Sequence, residues 1–426
     1  MVTFLLFGSF LFFLLLSVPI AVSLGLSAAL TIFYSGVVKP SAIPQGLVTA
    51  IDSFPLMAVP FFILAGNLMG HGGLSKRLLD MANVFFGRYT GGLALIGIVT
   101  CMFFAAISGS GPATVAAIGG LLLPAMAKAN YNKGYSIGML ASAGSLGIII
   151  PPSIPMIIYA VSANVSIMQM FVAGIIPGLF IGVVLMIVAY LKAKKENYIG
   201  TTEKFSWHQK WQAIWDAKLA LLAPIIILGG IYGGVFTPTE AAAIGVIYGF
   251  LVGFFVYKEL NLVSLYKVLV DSALTSATII LIVGTATIFG RILAVERIPF
   301  EIADYIVQLS DNPVIILLLI NLLLLFVGMF METLAAIIIL VPILLPVVLK
   351  VGVDPVHFGI IMIVNLAIGM ISPPVGVNLF VGSRVGNARL EEVTIGVLPF
   401  LLAMIFALLV ITYIPSLSLF LLKFVA

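Results

Sequence analysis

The sequence predicts an all-α polytopic membrane protein made of two inverted structural repeats, and three observations predict it. Of 426 residues, 62% are hydrophobic and 8% charged, with a mean hydropathy of +1.27, a balance soluble globular domains do not reach. Apolar stretches of about 20 residues recur without the alternation of an outer-membrane barrel, so the spans are helices. An adjacent proline pair that interrupts one such stretch, GIIIPPSIP at 147–155, has a counterpart in GMISPPVGV at 369–377. The net charge of +4 is small and spread over loops, which fits a positive-inside topology and argues against a nucleic-acid partner. Cys101 stands alone, which rules out an intrachain disulfide and suits core packing.

Taken in order, the apolar run to Tyr34 reads as a first transmembrane helix rather than a signal peptide. It lacks a basic leading region, and its length is about twice that of a signal-peptide core. No Lys or Arg precedes it and Lys39 follows it, so the N-terminus is expected outside the cytoplasm. Further membrane segments are expected near 45–70, 92–127, 134–165, 171–191, 219–235, 239–257, 273–294, 312–350, 355–386 and 393–415. Those at 92–127, 134–165, 312–350 and 355–386 are interrupted. The domain division that follows is a first repeat over 1–195, a linker over 196–216 and a second repeat over 217–426.

The linker region, LKAKKENYIGTTEKFSWHQKWQAIWDAK at 191–218, is the most polar part of the chain, and its lysines place it in the cytoplasm. It holds all three tryptophans, Trp207, Trp211 and Trp215, one helical turn apart, behind Ser206 as a cap. Such a stripe describes an amphipathic helix at the headgroup level, with a protein-docking surface as the alternative.

The two halves match at an offset of 222 residues, 151 to 373. Without a gap, that offset also pairs Gly174 with Gly396, Pro177 with Pro399, Pro124 with Pro346 and Lys128 with Lys350. It sets SGSGPAT at 108–114 opposite FMETLAA at 330–336, so each repeat is expected to carry a re-entrant hairpin tip there and a broken helix near 147–155 or 369–378. Matched interruptions in two halves point to a secondary transporter with its site at the repeat interface. The loop KANYNK carries two lysines, whereas its partner KVGVDP balances Lys350 against Asp354, which suggests opposite sides of the membrane and hence inverted repeats.

A helix that stops inside the membrane presents carbonyls at one end and amide donors at the start of the next half. Carbonyls suit sodium, and amides with the positive dipole end suit a carboxylate. Small residues around each break, Ser142, Gly144, Ser145 and Gly147 in one half and Asn365, Gly369, Ser372, Gly376 and Asn378 in the other, allow close approach. The first tip adds the hydroxyls of Ser108, Ser110 and Thr114. The second adds Glu332 and Thr333, Glu332 being the only acidic residue in its apolar span. An ionisable group in that setting is a functional candidate: Glu332 coordinates a cation, caps a half-helix or relays a proton. The bland reading of each motif is helix packing and capping, which does not call for four motifs in two matched pairs.

Other candidates carry less. His71, His208 and His357 lie in predicted loops or at span ends without metal-ligand spacing, and are expected to be solvated or capping. Asp52, Asp271, Arg291, Asp304 and Arg384 are boundary charges. Glu240 in FTPTEAAAIG reads as a first-turn carboxylate behind a Thr-Pro-Thr helix start. The segments LSKRLLDMANVFFGRY and IPFEIADYIVQLS are amphipathic and placed to connect a moving part to a fixed one. An intramembrane serine protease is disfavoured, since no His or Lys stands in a span as base for Ser108 or Ser110.

The segments SGSGPATVAAIGGLLLPAM, LGIIIPPSIPMIIYA, FTPTEAAAIGVIY, GMFMETLAAIIILVPILLPV and DPVHFGIIMIVNLAIGMISPPVGVNLFV together resemble the large membrane subunit of tripartite ATP-independent periplasmic (TRAP) transporters, of the ion-transporter superfamily, along essentially the whole chain. The resemblance implies a non-enzymatic, elevator-type importer of organic anions in the bacterial inner membrane, with a transport domain, a scaffold and sodium as the coupling ion. Its implied partners are a small membrane subunit and a periplasmic substrate-binding protein. By position it implies one sodium site at Ser108, Gly109, Ser110, Gly111, Gly144, Gly147 and Pro151, and a second at Glu332, Thr333, Gly369, Ser372 and Pro374. Substrate, of the sialic acid or C4-dicarboxylate kind, is then expected near Ser110, Thr114, Ser153, Thr333, Gly376 and Asn378. A stand-alone sodium- or proton-coupled symporter is the alternative.

Overall fold

The computed structural model describes residues 2–36, 38–200, 205–309 and 312–424. Residues 201–204 of the linker and Ser310, the last residue of the second amphipathic segment, lie outside them. Among the described residues all regular structure is helical, and eight helices are long and apolar enough to cross a membrane.

In chain order the first half contains α1 (Val2–Leu15), α2 (Ile20–Ser35), α3 (Ala42–Ile51), α4 (Ala58–His71), α5 (Leu74–Phe86), α6 (Gly92–Ser108), α7 (Gly111–Lys128), α8 (Lys133–Gly144), α9 (Ile154–Ala163) and α10 (Ile167–Lys195). The linker supplies α11 (Trp207–Asp216). The second half contains α12 (Lys218–Tyr232), α13 (Pro238–Leu251, prolonged by a π turn), α14 (Leu262–Val295), α15 (Ile298–Leu309), α16 (Pro313–Phe330), α17 (Thr333–Lys350), α18 (Pro355–Gly369), α19 (Val377–Gly386), α20 (Leu390–Tyr413) and α21 (Ser416–Leu419).

Two expected spans are divided. The apolar run 4–34 is not one helix but α1 and α2, which pack on each other. Ser17 takes a left-handed φ of 60° and Pro19, which has no N–H to continue a helix, stands before α2. The stretch 45–70 is likewise interrupted, between α3 and a 3₁₀ turn at Phe54–Met57 that contains Pro55. Apolarity marks membrane depth, but helix continuity is decided by the backbone.

Helix boundaries recur at the offset of 222. Helix α6 ends at Ser108 and α16 at Phe330, α7 and α17 share both boundaries, and α8 and α18 start at Lys133 and Pro355. The interrupted helices lie antiparallel. Lys133 at the start of α8 donates to the Asn387 carbonyl just after α19, and Tyr159 near the end of α9 donates to the Pro355 carbonyl at the start of α18 (2.6 Å). Each second half-helix meets the other half's hairpin, α9 on α17 and α19 on α7. The KANYNK loop lies against the residues after α10, where Tyr131 stacks on Tyr198 (4.1 Å between centroids) and the Asn132 amide donates to the Tyr198 hydroxyl.

Within lipid, helices associate through close packing and interhelical hydrogen bonds, and both occur. Helices α8 and α20 meet at glycines: a Cβ on Gly396 would stand 2.0 Å from the Gly134 carbonyl oxygen, and one on Gly138 would stand 2.5 Å from Gly396. Helices α16, α18 and α20 are tied by buried polar groups: Asn365 Nδ2 donates to Asn321 Oδ1 (2.8 Å) and Asn321 Nδ2 to Thr412 Oγ1 (3.1 Å). His357 belongs to this network through Nε2 and the Thr412 carbonyl (3.2 Å). It is 1% exposed, which corrects the expectation of a solvated or capping histidine, because α20 covers the first turn of α18. His71 and His208 are exposed, as are Asp52, Asp271, Arg291, Asp304 and Arg384. Glu240 closes a capping box with Thr237, and Cys101 is buried.

The α8–α20 contact leaves no room for a methyl group. Gly396→Ala is expected to cost about 1–3 kcal/mol by overpacking and to lower the melting midpoint in detergent, whereas Gly229→Ala, in a helix interior that meets open space, is expected to hold or slightly raise it.

Candidate functional site

The two hairpin tips and the two half-helix starts converge on one cavity of about 520 Å³. Its wall contains Ser108, Gly109, Ser110 and Pro112 of the first tip, Met331, Glu332, Thr333 and Leu334 of the second, and Ile154 and Val377 opening α9 and α19. The wall also includes α4 with Gly66 and Asn67, α14 with Thr275, Thr278, Ile279 and Ile282, and Ile148, Gly328 and Met370 beside the breaks.

The first tip is made by the residue types its backbone requires. Gly109 ends α6 at φ 60°, a left-handed conformation that favours glycine, and Ser110 is extended before Gly111 and Pro112 begin α7. Behind this turn the hydroxyls close on each other. Thr114 Oγ1 donates to the Ser110 carbonyl (2.8 Å), and Ser108 Oγ lies 2.8 Å from Thr114 Oγ1. The first broken helix is pressed against them: a Cβ on Gly147 would stand 2.4 Å from the Ser110 carbonyl oxygen and 2.8 Å from Thr114 Oγ1, and one on Gly144 would meet Val115 at 2.2 Å. The Ile154 amide donates to the Gly109 carbonyl (3.3 Å). The Pro152 carbonyl oxygen lies 3.0 Å from where a Gly109 Cβ would be. Pro151 is buried, and the Pro151–Pro152 peptide is cis. Ser153 caps α9 and donates to the Ile148 carbonyl (2.6 Å), so its hydroxyl bridges the break.

At the second tip Glu332 is the N-cap of α17, its Oε2 accepting from the amides of Leu334 (2.9 Å) and Ala335 (3.1 Å). Capping is thus one role the structure gives this carboxylate, which also stands on the cavity wall. Gly369 abuts α16, where a Cβ would stand 2.5 Å from the Gly328 carbonyl oxygen. Ser372 Oγ donates to the Ile368 carbonyl (2.8 Å). The Pro373–Pro374 peptide is also cis, and Gly376 is left-handed at φ 53°. Pro374 is exposed, unlike the proline pair of the first break. Asn378 is buried and faces the other half, donating to the Ala141 carbonyl (3.1 Å) and Ser145 Oγ (3.3 Å).

Of the residues singled out in the sequence, Ser108, Gly109, Ser110, Glu332 and Thr333 line the cavity. Thr114, Gly111, Gly144, Gly147, Pro151 and Ser153 support the first tip from behind. Gly369, Ser372, Pro374, Gly376 and Asn378 surround the second break without appearing on the wall. Sequence reasoning missed Asn67, Thr275 and Thr278. Asn67 Nδ2 donates to Ser272 Oγ (2.9 Å), tying α4 to α14. A signal existed: Asn67 is the one amide in the apolar run of α4, and residues 275, 278, 279 and 282 fall on one helical face.

Chemically, two features stand out. The first turns of α7, α9, α17 and α19 all contribute to the wall, so four positive dipole ends surround one space. Beside it, Ser108 Oγ, the Ser110 carbonyl and Thr114 Oγ1 form a set of neutral oxygen donors that fits a small hard cation, and Glu332 adds a carboxylate at the second tip. Among the described residues no Lys, Arg or His lines the cavity, and the donors its wall offers are backbone amides, hydroxyls and the Asn67 side chain.

The chain matches over residues 7–417 the family model described as "Tripartite ATP-independent periplasmic transporter, DctM component". It is 53% identical over 415 residues to the isethionate TRAP transporter permease protein DctMQ of Oleidesulfovibrio alaskensis, an alignment covering 97% of this chain and 65% of that protein, so the chain spans slightly less than two thirds of that relative. It is 40% identical to the C4-dicarboxylate TRAP transporter large permease protein DctM of Rhodobacter capsulatus, over 97% of each chain. With the sialic acid TRAP transporter large permease protein SiaM of Vibrio cholerae it shares 42% identity over 88% of each. The crystal structure of the YdaH transporter of Alcanivorax borkumensis has the same fold, with a TM-score of 0.62 at 15% identity over 95% of this chain and 96% of that one.

The cap at the second tip separates two variants. Glu332→Ala removes both acceptor bonds and is expected to cost about 0.5–2 kcal/mol, read as a lower melting midpoint. Glu332→Gln keeps an oxygen for the Leu334 and Ala335 amides and is expected to melt close to the parent.

Proposed function

We infer, for a chain that belongs to the DctM-component family of tripartite ATP-independent periplasmic transporters, that it is the large membrane subunit of a sodium-driven importer of a small organic anion. The observation that carries this is the convergence of four half-helix N-termini on one cavity beside neutral oxygen clusters. The dipole ends favour the anion and the oxygens favour the cation, so each ligand neutralises what the other leaves. One sodium is held at the first tip, by the Ser108 and Thr114 hydroxyls and the Ser110 carbonyl under Gly147. A second is held at the second tip, around Glu332, Thr333 and the Gly328–Gly369 contact.

The antiparallel placement of the two broken helices supports a relation of inverted repeats, and the amphipathic α5 and α15 are then the arms of an elevator in which tips and broken helices move against α4 and α14. The chain works in the bacterial inner membrane with a small membrane subunit and a periplasmic binding protein that delivers the substrate. Relatives named for C4-dicarboxylates and sialic acid support a carboxylate, and the one named for isethionate extends the class to sulfonates. The carboxylate and sulfonate groups share what the cavity offers, a place for negative oxygens among amide donors.

Uptake into proteoliposomes holding the chain, its small subunit and its binding protein is expected to cease when the sodium gradient is collapsed. Uptake that survives collapse would remove sodium coupling, and uptake by this chain alone would favour a stand-alone symporter. Gly147→Ala, whose methyl would strike the Ser110 carbonyl, is expected to weaken apparent sodium affinity by about 10–100-fold. Unchanged sodium dependence in that variant would take the first tip out of the cation site.

A further inference from the structure

The linker helix α11 carries an exposed aromatic face. Trp207, Trp211 and Trp215 are 78%, 63% and 61% exposed, while the helix packs on α5 and bends by 55° into α12. Two lysines stand over its rings, Lys210 at 5.9 Å from the Trp207 centroid and Lys218 at 3.7 Å from Trp215. Rings with ammonium groups beside them are the composition of a helix at the lipid headgroup level.

Next to this face is a polar pocket of about 550 Å³ where four helices meet. Lys76, Arg77 and Asp80 enter it from α5, Trp215 and Asp216 from α11, Lys218 from α12, and Tyr257 from the end of α13. Its lining carries three cations and two carboxylates. Arg77 is engaged by the Glu259 carboxylate (3.7 Å) and by the Tyr257 ring (3.4 Å to the centroid). That leaves two lysines, Lys76 and Lys218, the latter over the Trp215 ring, and two aspartates, Asp80 and Asp216, none of which forms a salt bridge among the described residues. Partial burial raises the Asp80 carboxyl above its ordinary value, while the charges of Lys76 and Arg77 pull it down. A pocket with charges of both signs outside salt bridges complements a ligand that carries both signs, and a net anion gains less from it.

We propose that the pocket between α5, α11 and α12 holds the headgroup of a zwitterionic aminophospholipid, its phosphate on Lys76 and Lys218 and its ammonium on Asp80 and Asp216, while the three tryptophans enter the same leaflet. The primary ammonium matters, because it donates hydrogen bonds to the aspartates where a quaternary choline has none to give. The lipid would fasten α5 to the linker.

All three tryptophans of the chain lie on α11, so the emission of the full-length protein reports on this helix alone. In nanodiscs, lipids brominated near the headgroup end of the acyl chain are expected to quench that emission more than lipids brominated near the chain terminus. Emission insensitive to both would mean that protein covers the face, and would overturn the proposal. In the second arm, adding phosphatidylethanolamine to phosphatidylcholine discs is expected to raise the melting midpoint of the parent. Equal addition of phosphatidylglycerol is expected to raise it less, and the Lys76→Ala and Asp80→Asn variants are expected to lose the ethanolamine-dependent shift. Equal shifts with both lipids, no shift in the parent, or a full shift in both variants would overturn the headgroup assignment.

Discussion

A backbone that stops being helical inside a membrane must find its hydrogen-bond partners within the protein, since lipid offers none. This constraint governs the centre of the fold. At the first break the Ser153 hydroxyl takes up the Ile148 carbonyl and the Ile154 amide reaches the Gly109 carbonyl of the tip. At the second, the Asn378 amide returns to the Met370 carbonyl and Ser372 Oγ to Ile368. At the tips Thr114 takes the Ser110 carbonyl, and Glu332 takes two amides. Each break is thus met by short polar residues of its own, and at the first break also by the tip, through the Ile154 amide and the Gly109 carbonyl. The glycines at 144, 147 and 369 follow, because side chains there would push these partners apart.

Equal spacing does not mean equal use. Gly174 and Gly396 are mates at the offset of 222, yet Gly174 lies on Met156 and the Ile149 carbonyl beside the first break, whereas Gly396 lies on Gly134 at the start of α8. Helix α10 therefore covers one proline pair, and α20 does not cover the other: Pro151 to Ser153 are buried, while Pro374 and Val375 are exposed. The chemistry diverges too. Ser110 corresponds to Glu332, a hydroxyl on one tip and a carboxylate on the other, and Ser153 corresponds to Val375. One geometric device, used twice, in this way presents different donors at its two tips.

The aromatic linker and the buried amide network show two further uses of polarity in a membrane chain. Trp207, Trp211 and Trp215 stay outside the core and suit the boundary between water and hydrocarbon. Asn321 and Asn365 are enclosed, at 2% and 0% exposure, and join α16, α18 and α20 where aliphatic contact alone would give no register.

The sequence by itself determined the membrane class, the two matched stretches and the interruptions at both tips and both proline pairs, though not the breaks within 4–34 and 45–70. Apolar length, proline chemistry and left-handed glycine act locally and are therefore written locally. It also disclosed the residues of both tips, because a carboxylate or a run of hydroxyls at membrane depth contrasts with everything around it. What only the tertiary structure decided was how distant groups meet: that Asn67, Thr275 and Thr278 close the cavity, that Asn378 turns to α8 of the opposite half, and that His357 is enclosed by α20. Such contacts join residues tens to hundreds of positions apart, and the packing that brings them together leaves no periodic trace in either partner alone.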